Sequence, residues 1–222
     1  MNVQLISITE CKIPEIPSVD ELIAFCARVS SPQNQTNFET APKLIAYLIK
    51  HKHWSPFEMA GMCVEITTSR AIAQQILRHR SFSFQEFSQR YATATAFEPI
   101  ELRRQGTKNR QGGEEVIDPG IINPNGTDCI ASDAIDRHLI ASKYLYDNLI
   151  EAGVAKECAR FVLPLTTQTT LYMNGTVRSW IHYLEQRLDN HAQKEHRLIA
   201  EEIQGIFKEQ YPKTSQALGW IV

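Results

Sequence analysis

The stretch RHRSFSFQEFSQRY, at positions 78–91, concentrates side chains that can bind anions. It contains three arginines, one histidine, one glutamate and three serines, interleaved with three phenylalanines. Arginines combined with hydroxyls and backbone amides suit a phosphate, which a guanidinium can hold with two parallel hydrogen bonds. The GxGxxG and GxxxxGK[ST] loops are absent from the sequence, so we predict a phosphate site of another kind. The alternative is a helix end that merely carries Arg78 and Arg80, since cations are favoured there.

Two other kinds of site are weaker hypotheses. Ser88 is not surrounded by a GxSxG elbow, so we interpret it as a hydrogen-bonding residue rather than as a nucleophile. His51 and His53 resemble an HxH metal pair with Glu58 nearby, but HxH alone is common and no third His or Asp ligand stands at a telling spacing. We therefore expect no metal and interpret His53 as a stacking or hydrogen-bonding group.

The bulk composition excludes several classes of protein. The 222 residues carry a formal net charge of -2, which argues against a surface that binds nucleic acid. No apolar run approaches the ~18 residues of a membrane span, and the N-terminus does not resemble a signal peptide. The five cysteines are odd in number and form no CxxC pair, so reduced, mostly buried thiols are expected. These observations predict a cytoplasmic protein without a nucleic-acid or membrane partner.

The elements that position these residues mix without a regular βαβ alternation, so we predict an α+β fold. Alternating apolar residues predict strands near residues 3–8, 61–69 and 91–102. Apolar residues at helical spacing predict helices near residues 17–30, 40–51, 70–80, 131–152, 155–163, 177–188 and 191–210. In the helix 131–152, the residues expected to face inward are Ile135, Leu139, Leu145 and Leu149.

Residues 105–128 are rich in Gly, Asn and Pro, and we interpret them as a flexible excursion without regular structure. Neither flank of this segment looks self-sufficient, because the predicted strands precede it and the long helices follow it. The chain is therefore predicted to be a single domain of residues 1–222.

Four ordered motifs resemble those of the flavin-dependent thymidylate synthases. Arg78-His79-Arg80, seven further residues and Ser88 match that family's RHR-x7-S signature. CARVS, ending at Ser30, and HKHWSPFE resemble its N-terminal segments, whereas ECARFVLPL and NGTVRSWIHYLEQRLDNHAQKE resemble its C-terminal helices. The similarity spans nearly the whole chain.

The resemblance implies a fold, an activity and an assembly. The fold is the thymidylate-synthase-complementing fold, in which several helices flank a mixed or antiparallel sheet. The activity is reductive methylation of dUMP to dTMP, with 5,10-methylenetetrahydrofolate as carbon donor, FAD reduced by NADPH as hydride donor, and tetrahydrofolate as second product. The assembly is a homotetramer with active sites at subunit interfaces.

The resemblance also implies site residues, which are given by their numbers in this sequence. The positions that match flavin contacts are Ser55, Arg78, His79, Arg80, Glu86, Thr176, Val177, Arg178 and His182. Those that match the dUMP site are Gln75, Arg78, Glu86, Phe87, Ser88, Gln89, Arg90, Arg160 and Arg187. The position against flavin and folate is His53, and Ser30 is a further candidate for the cofactor. The departures are Gln89, where some members have Gly, and Thr176 and His182, where some have Asn.

Arg187 is the candidate catalytic residue. A guanidinium stays protonated, so it cannot be a general base, but it can stabilise negative charge on a uracil ring and make C5 more nucleophilic. Ser88 then binds the nucleotide without attacking it. The structural alternatives are ion pairs of Arg160 with Glu157, and of Arg187 with Glu195 or Asp189.

Helical geometry separates two groups of side chains in 177–188. Arg178 and His182 are four residues apart and share a face, so one ligand can meet both. Arg187 lies nine residues after Arg178 and should point to roughly the opposite side. An unbroken helix would then serve two ligands, or sites in two subunits.

Two rival functions remain open at this point. Residues 78–91 could bind single-stranded nucleic acid by charge and stacking, although the net charge and the lack of other basic segments argue against it. The chain could also be a flavoprotein reductase without methyl transfer, although a reductase has no need of Arg160 and Arg187 for a nucleotide.

Overall fold

The fold is described from a computed structural model, which covers residues 1–93, 96–107 and 112–221. Contacts within the chain divide it into two compact units, each of which is described by itself. The first unit comprises Met1, Thr67–Ile76 and Glu86–Leu171. The second unit comprises Asn2–Ile66, Leu77–Gln85 and the chain from Tyr172 onward.

The second unit contains a four-stranded sheet with several helices. Strand β1 (Asn2–Ile8) and most of β2 (Gly61–Ser69), β3 (Ser83–Glu86) and β8 (Gln168–Thr176) pair in the order β1-β2-β8-β3. The helices are α1 (Val19–Ala27), α2 (Ala41–Lys50), α6 (Val177–Arg187), α7 (Lys194–Gln210) and α8 (Pro212–Ala217). Trp180 of α6 is buried and donates its indole N–H to the Met62 carbonyl of β2 at 3.1 Å, which fastens the helix to the sheet.

The described residues of the first unit form two short hairpins and three α-helices. Strands β4 (Arg103–Gln105) and β5 (Gly113–Val116) are antiparallel, as are β6 (Gly120–Ile122) and β7 (Asp128–Ile130). The helices are α3 (Arg70–Ile76), α4 (Ala131–Glu151) and α5 (Lys156–Ala159). None of the helices in the described part of the chain is both long and apolar enough to cross a membrane.

The predicted α+β class, with several helices flanking the sheet, is confirmed. The predicted alternation in β2 is also confirmed, because Met62, Val64 and Ile66 are buried whereas the residues between them are not fully buried. The assignment of residues 1–222 to one domain stays a prediction. The cysteines differ from expectation: all five are free thiols, but none of them is fully buried.

Helix α3 ends four residues earlier than predicted. The helical pattern extends to Arg80, but the helix ends at Ile76, and Arg78, His79 and Arg80 lie in the turn before β3. Within the second unit Phe82 is buried against Trp180, with ring centroids 4.7 Å apart. This packing favours the turn over another helical turn, because burying an aromatic ring outweighs a weak helix propensity.

The excursion of residues 105–128 contains strands that the sequence analysis did not predict. Gly126, at φ +82°, donates its backbone N–H to the Asn123 carbonyl at 2.8 Å and closes the turn between β6 and β7. Gly and Asn in this segment therefore form a tight hairpin turn, as they commonly do. Residues 108–111 lie outside the described residues, and the flexibility of the segment stays a prediction.

Two further expectations from the sequence are wrong. The strand predicted over residues 91–102 is not formed: outside positions 94 and 95, which lie beyond the described residues, its one β contact is a bridge from Phe97 to Thr167. In α4, Leu145 is 47% exposed, whereas Tyr146 is buried. The helix was predicted correctly, and Ile135, Leu139 and Leu149 are half-buried, so only Leu145 was assigned to the wrong side.

Asp20 joins the start of α1 to the start of α8. Its carboxylate is fully buried and accepts the backbone N–H of Lys213 at 2.8 Å, and the backbone N–H and hydroxyl of Thr214 at 3.1 and 2.5 Å. These donors include two of the amides that a helix start leaves unpaired. A side chain from another helix therefore caps α8.

We expect Asp20→Asn to lower the free energy of unfolding by about 1–3 kcal/mol, because an amide NH₂ would face donors that need an acceptor. Urea unfolding of the variant measures the change. Asp136→Asn, at an exposed position of α4, is the matched control and should stay near the wild-type midpoint. Equal midpoints for the two variants would contradict the capping role.

Candidate flavin and nucleotide sites

The RHR turn of the second unit presents two free guanidinium groups. Arg78 and Arg80 are exposed, and neither has a hydrogen-bond or ion-pair partner among the residues that the structure describes. The backbone N–H of Phe82 donates to the His79 carbonyl at 3.3 Å, which tightens the turn. Phe82 packs over Gly175: a Cβ on that glycine would lie 2.4 Å from the Phe82 ring. The turn is thus seated on β8 by one aromatic ring, with both arginines available to an anion.

His79, between those arginines, holds the candidate catalytic residue. Arg187, at the end of α6, donates its Nε–H to His79 Nε2 at 2.9 Å. Burial, the Arg187 charge and His182 lower the pKa of His79 to about 4, so the imidazole is neutral near pH 7. The contact seen for Arg187 is therefore with the RHR turn, whereas Asp189 accepts the backbone N–H of His191.

The stability of the fold should depend on pH through two histidines. The pKa of His79 falls from 6.5 to about 4, and burial together with Arg187 lowers that of His196 from 6.5 to about 3. Below pH 6.5 the two histidines therefore bind protons in the unfolded chain while they stay neutral in the folded chain. The contribution of these two histidines to the free energy of unfolding is fully present above pH 6.5. It is lost as the pH falls through about 4 for His79 and about 3 for His196.

We expect the midpoint of thermal unfolding to drop over that pH window, and to drop less steeply in His196→Gln, which lacks one of the two groups. Calorimetry at a series of pH values gives both slopes. His138→Gln, at an exposed position on α4, should keep the wild-type slope. An unchanged slope in His196→Gln would show that His196 does not resist protonation.

A cavity of about 570 Å³ lies beside α6 in the second unit. Arg178 and His182 both line it, which confirms that they share a face, and Arg187 is not among its lining residues. Arg178 pairs with Glu58 in the cavity wall. Its remaining lining residues are Lys52, Trp54, Ser81, Ser179, Ile181 and Glu185. A second cavity of about 500 Å³ shares Glu58 and Ser81 with the first.

Of these lining residues, Ser81 belongs to the polar stretch 78–91 but was not assigned to a site from the sequence. Lys52, Trp54, Ser179, Ile181 and Glu185 were not singled out. Lys52 stands between His51 and His53, which are the more obvious candidates in the sequence. In the structure its φ is 57°, an unusual backbone conformation for a residue other than glycine. Glu185 follows Arg178 by seven residues, two helical turns along the same face of α6.

The remaining flavin candidates lie at element boundaries in the second unit. Thr176 is the N-cap of α6, and its hydroxyl accepts the Ser179 backbone N–H at 3.3 Å. Val177 is buried and donates its own N–H to Ala60. Ser55 is exposed at the start of a 3-10 turn, and Ser30 is exposed after α1.

His53 is exposed and belongs to a small cluster of rings. Its centroid lies 6.0 Å from Tyr47 and 6.2 Å from His51. No group of three or more His, Cys, Asp or Glu side chains within the described ranges could hold a metal ion. His53 thus contacts two rings of the protein and is exposed, which is compatible with a stacking role.

Glu86, in the first unit, is the best-anchored of the nucleotide candidates. It accepts the Thr169 hydroxyl at 2.9 Å and pairs with Arg70 at 3.5 Å. Ser88 follows, and its Oγ accepts the Arg90 backbone N–H at 3.4 Å. Gln89 is 3% exposed, and its Nε2 has no hydrogen-bond partner among the described residues. A buried donor without an acceptor is costly and suits a bound oxygen.

Glu157 brings two further nucleotide candidates together in the first unit. Its carboxylate pairs with Arg90 at 3.2 Å, and its backbone carbonyl accepts the Arg160 Nε–H at 3.3 Å. The ion pair with Glu157 that was the structural alternative for Arg160 is therefore formed by Arg90 instead. Arg160 also lies 5.7 Å from the centroid of the Phe161 ring.

The structure sorts the predicted residues into two groups. The first unit holds Gln75, Glu86, Phe87, Ser88, Gln89, Arg90 and Arg160. The second unit holds His53, Ser55, Arg78, His79, Arg80, Thr176, Val177, Arg178, His182 and Arg187. The fold is that of an α+β protein, and each of the two groups includes arginine side chains that can bind an anion.

Comparison with known proteins identifies the family. Residues 13–213 match the family model described as thymidylate synthase complementing protein, so the chain belongs to that family. The probable flavin-dependent thymidylate synthase of Paramecium bursaria Chlorella virus 1 is 46% identical over 222 residues, covering all of both chains. The flavin-dependent thymidylate synthase of a Synechocystis strain is 49% identical over 223 residues, covering 99% of this chain and all of the relative.

A solved structure gives the same result for the fold. The UMP/dUMP methylase PolB from Streptomyces cacaoi, bound with 5-Br dUMP, superposes with a TM-score of 0.78 at 25% identity. The match covers 99% of this chain and 95% of the other. The resemblance stated from the sequence is therefore confirmed.

Proposed function

We infer that this protein is a flavin-dependent thymidylate synthase, which methylates dUMP to dTMP. The carbon comes from 5,10-methylenetetrahydrofolate, and NADPH supplies the reducing electrons. The observation that carries this inference is the RHR turn, where two unpaired arginines flank a neutral histidine that holds Arg187.

The residues of the second unit fit FAD. The cavity wall includes the flat ring of Trp54, and its Lys52 and Arg178 are balanced by Glu58 and Glu185. Arg78 and Arg80, which have no partner among the described residues, are available to a diphosphate. We propose that the cofactor is held by Ser55, Arg78, His79, Arg80, Glu86, Thr176, Val177, Arg178 and His182, with His53 against flavin and folate. When bound, FAD supplies the hydride that completes the methyl group.

The first unit is proposed to bind the nucleotide. Arg90 and Arg160 suit the phosphate. Glu157, which pairs with Arg90 in this structure, would be displaced from Arg90 by the phosphate. Ser88 and the buried Gln89 offer hydrogen bonds to the sugar or base. Gln75, Phe87, Arg78 and Glu86 complete the proposed dUMP set.

Arg187 is proposed to act on the uracil ring. Its Nε–H is occupied by His79, so the two terminal nitrogens of the guanidinium remain to hold negative charge on a uracil oxygen. That charge makes C5 more nucleophilic without a covalent bond to the protein. A fixed guanidinium costs no reorganisation at the moment of reaction.

We further propose a homotetramer in which active sites combine residues of different subunits. The support is apolar surface on α4, where Ile140 is 70% and Tyr144 is 72% exposed. Large exposed apolar side chains close together commonly mark an interface. We place the enzyme in the cytoplasm, since its five cysteines are free thiols.

Purified protein tests the function against its two rivals. Bound flavin, together with dTMP formation that is lost when NADPH or the folate is omitted, supports the synthase. NADPH oxidation without dTMP would identify a reductase. Absence of flavin binding, together with affinity for single-stranded oligonucleotides, would identify a nucleic-acid-binding protein.

A further inference from the structure

A buried tyrosine and a buried histidine lie behind the RHR turn, and the proposed function gives them no role. Tyr183 of α6 and His196 of α7 are both 0% exposed. The Tyr183 hydroxyl lies 3.0 Å from His196 Nε2, within hydrogen-bond distance. Burying two polar side chains is costly unless they pair, so the hydrogen bond between them is needed to offset the cost of their burial.

This pair forms a wall for the His79 ring. The centroids of His79 and Tyr183 lie 4.8 Å apart with the rings at 77°, and the His79 ring stands at 88° to His196 at 6.2 Å. Edge-to-face contacts of this kind limit rotation of the ring they enclose. His79 can therefore keep its Nε2 directed at Arg187.

The hydrogen bond to Arg187 also selects one form of His79. A guanidinium nitrogen only donates, so the Nε2 that it meets must carry a lone pair, and the neutral ring holds its proton on Nδ1. Tyr183 and Arg187 are four residues apart on α6 and share a face. The side chain that enters this group from another helix is His196.

We propose that His196 and Tyr183 are positioning residues that act through His79 to hold the Arg187 guanidinium in one orientation. The inference rests on the proposed function for its effect on dUMP, but the orientation itself can be tested without turnover. Without the imidazole, the Tyr183 hydroxyl would be buried and unpaired, and the ring would move or admit water. His79 would then lose the wall that directs its Nε2.

The first arm of the test measures hydrogen exchange at Arg187 Nε. Protein loaded with FAD and labelled with ¹⁵N at arginine Nε would show this N–H as a resonance that disappears in Arg187→Lys. We expect exchange at least about tenfold faster in His196→Leu. His196→Gln, whose amide can still hydrogen-bond the Tyr183 hydroxyl, should stay near wild type. Backbone amide exchange in α6 reports any general loosening, and Tyr183→Phe, which removes one oxygen, serves if the leucine variant does not fold.

The second arm measures the rate of dTMP formation. We expect kcat about tenfold lower in His196→Leu with FAD still bound, since small misplacements of a catalytic group are expensive. If the wild type makes no dTMP, the proposed function is wrong, but hydrogen exchange at Arg187 Nε still tests whether His196 and Tyr183 position the guanidinium. If the wild type is active and the leucine and phenylalanine variants match it in both arms, the positioning role is overturned. Equal losses in the leucine and glutamine variants would overturn it as well.

Discussion

Arg187→Lys should lower the rate of thymidylate formation by about 10²–10³-fold, the usual effect of removing one donor that stabilises a developing anion. Arginine offers a planar fork, of which the Nε–H is committed to His79 at 2.9 Å and the terminal nitrogens remain for the uracil. A lysine ammonium cannot make both contacts at once, because its single nitrogen lies on a flexible stem. FAD should remain bound, since the cavity proposed for the flavin is lined by Arg178 and His182 of α6, and not by Arg187.

Three measurements decide this prediction: kcat for dTMP, the KM for dUMP and the flavin absorbance per protein. Arg104→Lys is the matched control, because Arg104 is an exposed arginine of the β4 strand that pairs with Glu115 at 3.2 Å. The control should behave as wild type in all three. Wild-type turnover in Arg187→Lys would remove Arg187 from the mechanism.

Gly175→Ala should weaken FAD binding by at least about tenfold. The added Cβ would lie 2.4 and 2.5 Å from Cδ1 and Cε1 of Phe82, inside any normal contact. The ring cannot simply swing away, since it is buried between Trp180 and Tyr183, with centroids 4.7 and 5.9 Å distant. Overpacking of this kind costs about 1–3 kcal/mol, and the strain falls on the turn that carries Arg78 and Arg80.

Titration with FAD, followed by quenching of flavin fluorescence, gives the affinity. Gly205→Ala is the matched control: nothing lies within 4 Å of its added Cβ, and alanine inside α7 should stabilise by about 0.5–1 kcal/mol. The double variant Gly175→Ala with Phe82→Leu removes the clash and should recover much of the affinity. Wild-type affinity in Gly175→Ala alone would mean that the RHR turn does not seat the cofactor.

Local sequence patterns predicted the parts of the fold that depend on short-range periodicity. The apolar alternation of β2 and the helical spacing of α6 both appear in the structure, the latter as an unbroken helix from Val177 to Arg187. Strand β8 was missed although its signal was present, since Thr169, Leu171 and Met173 are buried in alternation. The strand runs into the NGTVRSW segment and ends at Thr176, directly before α6.

The rest depends on contacts between residues far apart in sequence. The early end of α3 follows from the packing of Phe82 on Gly175, 93 positions further along the chain, which no local pattern records. The hydrogen bond between His79 and Arg187 and the pairing of Tyr183 with His196 are of the same kind. The motifs in the sequence could therefore indicate candidate site residues, but not the tautomer of His79, the partners of these side chains or the buried pair behind the turn.

Release of tritium from C5-labelled dUMP tests the central claim most directly, because a thymidylate synthase must replace the hydrogen at C5. With FAD, NADPH and 5,10-methylenetetrahydrofolate all present, we predict tritium release that matches dTMP formation. Arg187→Lys should suppress both while retaining flavin. No release from the wild-type protein under any combination of these components would contradict the assignment.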